Sequence, residues 1–523
     1  MAVAHDGGTP PDSLATGIPN LDRVLGGGLP RGTLVLVLGP PGSGKTILSS
    51  QIAFAAAQRG QRVLLLTALS EPTTKLVAHL RSYRFFAEGL LGTLVRLISL
   101  QDALDRGLPT TEQAIIEEVR RSRAEVVVID GFRGVRGASE QPAREFLYDV
   151  GTTLGLQGVT TLVTSESDPR DPAFFPETTT ADVIIGLYFD LVGVRQQRGL
   201  EVVKVRGAAP LPGRHALALS EDGATVYPRL ETRVLEVSTT RGAVSGSVSA
   251  GHLAERAAFD MPELDALLGG GVNRGTGTLV AGALGAGKTL LALHFALAGV
   301  RAGESVLYLG FRETAEQLQQ KADSFALGPQ WRAGLAAGGG LRFLRWEPVE
   351  LDADVVADQL LATIEQTAAT RLIVDSIAEL ERAVLEANSG ERVANFMAAL
   401  LAVLRLRGVT MLGIREAARV RAAELDYAVD PVSVLAENVL HLQQMKYRGE
   451  LRRVLSVVKM RFSAYDPAVR EFRIVAPEGI RVLGRFESGL DVLVGLAEQQ
   501  EGLVADMSGQ QPPGKGIAAS GED

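Results

Sequence analysis

The chain has 523 residues and a formal net charge of −8, and 46% of its residues are hydrophobic. This length is enough for two or three domains with full cores, and the acidic balance argues against a surface built mainly to neutralise nucleic-acid phosphates. The absence of cysteine excludes disulfides, thiolate metal sites and a cysteine nucleophile.

The apolar segments predict no membrane span. The most apolar stretch, Phe396 to Ile414, contains Arg405 and Arg407, so we predict a buried helix followed by a strand. The first eleven residues lack the basic start and apolar core of a signal peptide. We therefore expect a cytoplasmic protein without membrane contact.

The first functional motif is a glycine-rich loop that follows the apolar run 34–38 and precedes a helical pattern. It has the form G-x-x-x-x-G-K-[ST], whose glycines let backbone N–H groups surround a phosphate at a helix N-terminus. The lysine can contact the β- and γ-phosphates, and the threonine hydroxyl can ligate Mg²⁺. The predicted nucleotide-binding residues are Gly39, Pro40, Pro41, Gly42, Ser43, Gly44, Lys45 and Thr46.

A second copy of this loop lies 243 residues later, after the run 278–280. The triple glycine 26–28 recurs at the same distance, and the sequence 203–206, Val-Lys-Val-Arg, recurs as Val-Lys-Met-Arg at 458–461. Landmarks repeated in one order indicate the duplication of a single domain. The second set of nucleotide-binding residues is Gly282, Ala283, Leu284, Gly285, Ala286, Gly287, Lys288 and Thr289.

Short apolar runs alternate with helical patterns in each copy. In the first copy the runs are 34–38, 63–67, 126–129 and 159–164, followed by strand-like segments at 183–189 and 200–205. This alternation predicts an α/β fold, a mostly parallel sheet covered by helices, with the nucleotide at the carboxyl ends of the strands. We predict domains at 12–232 and 256–485, a linker at 233–255, and a disordered tail at 486–523.

Two aspartates end apolar runs in the two copies. Asp130 ends the run 126–129 and Asp375 ends the run 372–374. We predict that they hold Mg²⁺ directly or through water, together with Thr46 and Thr289. The alternative is an aspartate that only caps the next helix.

Taken together, these motifs resemble the KaiC family, the circadian-clock ATPase and its bacterial and archaeal relatives within the RecA-like P-loop group. The resemblance rests on Thr16 to Asp22, the triple glycine, the glycine-rich loop, the strand-ending aspartate and the late Lys-x-Arg, and it covers 12–232 and 256–485. It implies two tandem RecA-like P-loop domains that bind ATP with Mg²⁺ at subunit interfaces of a homohexameric ring. Some family members phosphorylate themselves on Ser and Thr, and regulatory protein partners are expected.

The family places a Glu-Glu pair after the strand that follows the P-loop helix, where a carboxylate can activate water. In the second copy Glu313 falls on the second glutamate and Arg312 replaces the first. The corresponding stretch of the first copy, 67–72, contains one carboxylate, Glu71, which lies one residue beyond the expected place. Glu71 can reach the water only if its loop brings it there, so we expect hydrolysis chiefly in the second copy. The predicted catalytic residues are Glu313 and Lys288 in the second copy and Glu71 and Lys45 in the first.

Two basic pairs lie on late strands. Alternation puts Lys204 and Arg206 on one face, and likewise Lys459 and Arg461. In the family the equivalent residues point at the γ-phosphate of the neighbouring subunit, like an arginine finger. The alternative is a solvated basic edge strand that blocks further sheet pairing.

Ser433 matches the family's autophosphorylated serine when counted back from 459–461, whereas the adjacent family threonine is Val434 here. The alternative is an ordinary turn serine before a strand.

Three classes of function remain open. The first is a ring-forming KaiC-like ATPase, with autokinase activity on Ser and Thr as an extension. The second is a RecA- or DnaB-like DNA-dependent ATPase, which the acidic balance and the lack of a separate DNA-binding domain disfavour. The third is a signalling scaffold that binds ATP as a structural ligand and hardly turns it over.

Overall fold

The computed structural model describes residues 13–67, 73–132, 140–170, 180–234, 255–387, 391–416, 435–447 and 450–486. The described residues fall into two compact units. The first holds those before residue 245 together with Val349–Ala362 and Ala383–Leu400, and the second holds the rest. Glu71, Ser433 and almost all of the predicted linker and tail lie outside the described residues.

The first unit is built on a nine-stranded sheet in the order β11-β10-β9-β8-β3-β7-β6-β4-β5. The strands from β8 to β5 in that order are parallel, and β9, β10 and β11 extend the sheet in antiparallel fashion. A separate two-stranded sheet joins β1 and β2. The strands are β1 (Ser13–Leu14), β2 (Leu29–Pro30), β3 (Leu34–Leu38), β4 (Val63–Thr67), β5 (Val95–Ser99), β6 (Val126–Asp130), β7 (Thr160–Ser165), β8 (Val183–Val192), β9 (Arg195–Val205), β10 (His215–Ser220) and β11 (Gly223–Tyr227).

The second sheet repeats this order strand for strand, as β22-β21-β20-β19-β14-β18-β17-β15-β16. Its strand β14, which leads into the second glycine-rich loop, lies between β18 and β19 as β3 lies between β7 and β8. The predicted duplication and fold class are therefore confirmed. The strands are β12 (Arg256–Ala257), β13 (Val272–Asn273), β14 (Gly277–Gly282), β15 (Val306–Gly310), β16 (Leu341–Arg345), β17 (Arg371–Asp375), β18 (Thr410–Glu416), β19 (Asn438–Tyr447), β20 (Glu450–Met460), β21 (Arg470–Val475) and β22 (Gly479–Arg485).

Most of the helices connect parallel strands. In the first repeat the helices are α1 (Leu21–Leu25), α2 (Lys45–Gln58), α3 (Thr73–Leu80), α4 (Gln101–Leu104), α5 (Leu108–Ser122) and α6 (Glu140–Leu156), with a 3₁₀ turn at Glu88–Leu90. In the second repeat they are α7 (Pro262–Leu267), α8 (Lys288–Arg301), α9 (Ala315–Asp323), α10 (Gly328–Leu335), α11 (Ala353–Thr367), α12 (Ile377–Ala387) and α13 (Glu391–Leu406). None of the described helices is both long and apolar enough to cross a membrane.

The parallel strands read as continuous apolar runs because both of their faces are buried. In β3, Val35 and Val37 pack into the cluster that contains Ile52 of α2. The alternate residues of β3 pack on the other face, in the cluster that contains Ile115 of α5 and Val150 of α6. Helices on both faces of a parallel sheet leave its carboxyl edge open, and the glycine-rich loops lie at that edge.

The antiparallel extension is longer than the sequence predicts. The segments 183–189 and 200–205 belong to one hairpin of β8 and β9 that reaches residues 192 and 195 at its tip. A shift in register falls between Ile184 and Ile185, and an equivalent shift falls between Val439 and Leu440 in the second sheet. The stretch 396–414 forms the end of α13 and the start of β18, as predicted.

Candidate functional site

The first glycine-rich loop joins β3 to α2, and left-handed glycines shape it. Gly42 has φ of 80° and Gly44 has φ of 104°, which residues with a Cβ rarely adopt. The Nζ of Lys45 donates to the carbonyl oxygens of Gly39 at 2.8 Å and Pro40 at 3.0 Å, so the amine lies over the loop. Burial lowers the pKa of Lys45, while the charges of nearby carboxylates act in the opposite direction.

The second loop, between β14 and α8, has the same form. Gly285 and Gly287 have φ of 71° and 106°. The Nζ of Lys288 donates to the carbonyl oxygens of Gly282 and Ala283, both at 2.8 Å. Burial lowers the pKa of Lys288 as well. Each loop therefore presents a lysine, a helix N-terminus and left-handed glycines, which is the arrangement that binds phosphate.

Asp130 lies at the end of β6 and is 7% exposed. The hydroxyl of Thr46 donates to its Oδ2 at 2.9 Å, and the hydroxyl of Thr164 on β7 donates to its Oδ1 at 2.6 Å. The structure thus brings together the two predicted metal ligands of the first copy.

Asp375 lies at the equivalent end of β17, with the same exposure. It accepts hydrogen bonds from Thr289 and from the hydroxyl of Tyr308, the latter at 2.9 Å to Oδ2. Burial raises the pKa of Asp375 and the charge of Glu313 adds to this, whereas the two hydrogen bonds act against it. Burial also raises the pKa of Tyr308 well above its ordinary value, so its hydroxyl keeps its proton and donates.

Each pair of threonine hydroxyl and aspartate carboxylate offers the oxygen ligands that Mg²⁺ prefers. Within the described ranges, no group of three or more His, Asp or Glu side chains could hold a metal ion. Few protein ligands are what Mg²⁺ needs beside a nucleotide, because it keeps several waters and takes phosphate oxygens as further ligands. The residues present therefore fit this ion.

The second loop borders a cleft of about 420 Å³, a size that is typical of small-molecule sites. Glu313 lines this cleft together with Lys288, Thr289 and Asp375. Its Oε1 accepts from the Nζ of Lys321 at 3.2 Å.

Arg312 contacts two other carboxylates of the second copy. Its Nε lies 2.9 Å from Oε1 of the buried Glu379, and its Nη1 lies 3.3 Å from Oε1 of Glu416. An arginine at this position is thus tied to helix α12 and to the end of β18.

The first loop borders a comparable cleft of about 470 Å³, which Lys45, Thr46 and Asp130 line. Glu166 lines it as well, and its charge acts on Lys45. Glu166 follows β7 at the place where Glu416 ends β18, and both glutamates follow a repeated Gly-Val-Thr start by the same number of residues. Sequence reasoning missed this pair, although the repeat was sufficient to find it.

Both clefts have an apolar wall beside the loop. Tyr83 and Leu219 form it in the first copy, and Phe325 and Ile474 form it in the second. Leu219 lies so near to Gly44 that a Cβ there would come within 2.9 Å of its Cδ1.

The basic pairs lie apart from the described lining of their own clefts. Lys204 Nζ donates to the carbonyl of Ala181 at 2.6 Å, and Lys459 Nζ donates to the equivalent carbonyl of residue 436 at 2.7 Å. The arginines differ. Arg206 forms an ion pair with Asp182 at 3.0 Å, whereas Arg461 is exposed and its guanidinium has no ion-pair partner in the part of the chain that is described.

The carboxylate that would match Asp182 in the second copy is Glu437, and Arg405 pairs with it instead. Residue 155, at the position in the first repeat that matches Arg405, is a glycine. Within the described residues, the two copies therefore differ: Arg206 is held in an internal ion pair and Arg461 is not.

Comparison with known proteins gives one family. Residues 14–231 and 259–487 match the family model described as "ATPase: KaiC". The "Circadian clock oscillator protein KaiC" of a Picosynechococcus strain is 25% identical over 506 residues, which cover 93% of this chain and 94% of the relative. From a Synechocystis strain, the "Circadian clock oscillator protein KaiC 1" is 26% identical over 88% of this chain and 87% of its own length. The "Circadian clock protein KaiC3" of that strain is 26% identical over 92% of this chain and 94% of its own.

Proposed function

The chain belongs to the KaiC ATPase family, and we propose that it binds one MgATP at each of its two P-loops and hydrolyses ATP, chiefly at the second. The observation that carries this proposal is the repeated geometry of lysine, threonine and aspartate at the carboxyl edge of both sheets. The names of its relatives refer to a clock, which supports a role in signalling or regulation.

At each site the backbone N–H groups of the loop and the helix N-terminus bind the β-phosphate, and Lys45 or Lys288 contacts the β- and γ-phosphates. Thr46 with Asp130, and Thr289 with Asp375, hold Mg²⁺, which neutralises charge on the phosphates. The apolar walls beside the loops offer apolar contacts to the adenine ring.

Glu313 acts as the base at the second site. It lines the same cleft as Lys288 and Asp375, so a water placed against the γ-phosphate would lie in the same cleft as its carboxylate. By accepting the proton of that water, the carboxylate turns it into a better nucleophile. Arg312 is already paired with Glu379 and Glu416. Within the described residues, the cation that pairs with Glu313 is Lys321.

In the first copy the corresponding role falls to Glu71, which lies outside the described residues. Its displaced position in the sequence supports slower hydrolysis there. A site that binds MgATP and turns it over slowly stabilises the folded chain through binding alone.

We further propose that the chain forms a homohexameric ring in the presence of ATP. Arg461 supports this, because it follows β20, is exposed and has no ion-pair partner among the described residues, and such an arginine can contact a neighbour's phosphate. Lys459, Lys204 and Arg206 would act at the same interfaces, with Arg206 first leaving its pair with Asp182. The proposal also includes regulatory protein partners, and it includes neither nucleic acid nor a membrane as a partner.

Self-phosphorylation of Ser433 is the finer proposal. It would transfer the γ-phosphate of a neighbour's ATP to the serine hydroxyl, whose proton passes to a carboxylate such as Glu313. Incubation with Mg-ATP followed by phosphosite mapping should find phosphate on Ser433 in the parent and none in the Lys288→Ala variant. An unmodified chain with steady ATP turnover would leave a plain ATPase.

Counting bound nucleotide per chain tests the main proposal. The parent should bind two, and Lys45→Ala and Lys288→Ala should each bind about one, because each variant loses the charge that contacts the phosphates. Lys446→Ala, which removes an exposed lysine of β19, is the matched control and should still bind two. Two nucleotides without phosphate release would support the structural-ligand alternative instead.

A further inference from the structure

The strand-ending aspartates of the two copies are held by hydroxyl groups from opposite neighbouring strands. Strand β6 lies between β7 and β4, and β17 lies between the equivalent β18 and β15. An aspartate at the end of β6 or β17 can therefore receive a hydrogen bond from the neighbouring strand on either side.

In the first copy the second donor comes from β7. Thr164 donates to Oδ1 of Asp130 at 2.6 Å, while Thr46 donates to Oδ2 at 2.9 Å, so both carboxylate oxygens are engaged. On the other side, the register partner of Asp130 on β4 is Thr67, whose buried hydroxyl has no hydrogen-bond partner in the described structure, and Leu65, two residues before it, is a buried apolar side chain.

In the second copy the positions are exchanged. Ile414 replaces the threonine and is the register partner of Asp375. The residue that matches Leu65 is Tyr308, and its hydroxyl donates to Oδ2 of Asp375 at 2.9 Å. Thr289 of the P-loop helix donates to the same carboxylate.

The lengths of the two side chains explain their places. The register partner of Asp375 on β15 is Gly310, and Tyr308 lies two residues before it on the same face. An aromatic side chain spans such a diagonal, whereas a threonine reaches only a directly adjacent residue. The ring of Tyr308 is fixed by its packing on Trp331 and Phe343, whose centroids are each 5.8 Å away.

We propose that Tyr308 is the positioning residue of the second Mg²⁺ site and does for Asp375 what Thr164 does for Asp130. This inference rests on the proposed binding of MgATP. A buried carboxylate with one donor can rotate, and the second donor fixes the orientation in which one oxygen faces Thr289 and the metal position. Tyr308 is not among the residues that line the cleft, and it acts through its hydrogen bond to Asp375.

Manganese binding measures this role without any reaction. The full chain is loaded with a non-hydrolysable ATP analogue and titrated with Mn²⁺, and bound metal is followed by electron paramagnetic resonance. Two sites per chain are expected in the parent. Tyr308→Phe keeps the ring and its packing, removes only the hydroxyl, and should weaken one of the two sites by about 10- to 100-fold, as removal of outer-shell partners does.

A swap between the copies provides the decisive variant. Ile414→Thr places a hydroxyl beside Asp375 where the first copy has Thr164, so Tyr308→Phe/Ile414→Thr should recover most of the lost Mn²⁺ affinity. Thr164→Val, which is similar in shape, should weaken the other site instead. Ile414→Thr adds a polar group to a buried position, so by itself it should destabilise the fold further. Recovery of Mn²⁺ affinity in the double variant therefore excludes general destabilisation as the cause of the loss.

Different outcomes test the positioning role of Tyr308 and the proposed binding of MgATP. Unchanged Mn²⁺ affinities in Tyr308→Phe would overturn the positioning role, and so would a loss that Ile414→Thr fails to recover. A parent that binds the nucleotide analogue without any Mn²⁺ would instead overturn the proposed MgATP sites.

Discussion

At the scale of single residues, the second cleft distributes its charges unevenly. Arg312 is bound by Glu379, which is 1% exposed, and by Glu416 on the next strand but one. Glu313 is paired with the half-exposed Lys321, at 3.2 Å. A pair of this kind is weak in water, so the carboxylate can exchange its partner for a bound water at little cost.

Replacing Glu313 by Gln should remove most of the ATP turnover and preserve nucleotide binding. The amide keeps the shape of the side chain and cannot accept a proton from water, and general-base catalysis contributes about 10²- to 10⁴-fold. Phosphate release under saturating ATP measures the loss, and equilibrium binding of ATP measures what is retained.

Glu263→Gln makes the same chemical change at an exposed position of α7 and should behave like the parent. If Glu71→Gln reduced turnover more than Glu313→Gln, the assignment of the main hydrolytic site to the second copy would be wrong.

At the scale of the structural elements, the P-loop depends on backbone conformation as much as on its lysine. Gly44 is the residue before the first turn of α2, and its φ of 104° allows the chain to enter the helix with its N–H groups turned toward the phosphate position. Leu219 of β10 closes the space beside it.

Gly44→Ala should therefore impair nucleotide binding at the first site and lower the free energy of unfolding by about 1 to 3 kcal/mol, the cost of a Cβ in this backbone region. The added methyl group also meets Leu219, although that side chain can move. Nucleotide counting and urea unfolding give the two readouts.

Gly60→Ala is the matched control, because Gly60 has φ of 87° and nothing lies within 4 Å of a Cβ there. It should cost similar strain and leave both nucleotide sites intact. Full binding by Gly44→Ala would show that the loop tolerates another conformation.

The same scale explains how much of the fold could be predicted. The parallel strands, such as Leu34–Leu38, were predicted closely because they are buried on both faces and read as unbroken apolar runs. The hairpin of β8 and β9 was predicted only at its base, because Gln196, Gln197 and Arg198 near its tip interrupt the apolar pattern.

The glycine-rich loops could be placed from the sequence because the spacing of their glycines, lysine and threonine defines them, and the aspartates because each ends an apolar run. Tyr308 and Thr164 did not, because a tyrosine within an apolar strand reads as core and its contact with Asp375 depends on strand order. The ion pairs of Arg312 and of Arg405 were missed for the same reason, since each joins residues that are distant in the chain.

At the scale of the whole molecule, the chain contains two copies of one nine-stranded sheet with different polar details. The sheet order and the loop geometry are the same, whereas the donors to the aspartates and the partners of the late arginines differ. Such differences support the proposal that the two nucleotide sites of one chain differ in activity.

Assembly should depend on ATP, because a nucleotide bound at a head-to-tail interface joins two chains. Six chains of 55.4 kDa give about 330 kDa for a closed ring of this kind. Light scattering with Mg-ATP and without nucleotide measures the change in mass.

Lys45→Ala combined with Lys288→Ala should remain unassembled under both conditions. Arg461→Ala should weaken assembly more than Arg206→Ala, since Arg206 is already held by Asp182. A parent that stays monomeric in Mg-ATP would contradict both the ring and the finger roles of the basic pairs.

The burial of the P-loop helices has a consequence for motion. Eleven of the fourteen residues of α8 are buried, including Lys288 at its first position. A helix enclosed in this way can shift only if the core around it opens, and such openings require close to the full free energy of unfolding. The phosphate end of each site is therefore expected to be nearly immobile on the timescale of turnover. Entry and release of the nucleotide then depend on the wall of the cleft formed by Phe325 and Ile474, which are both partly exposed, so residues outside the P-loop can set the rate at which nucleotide is exchanged.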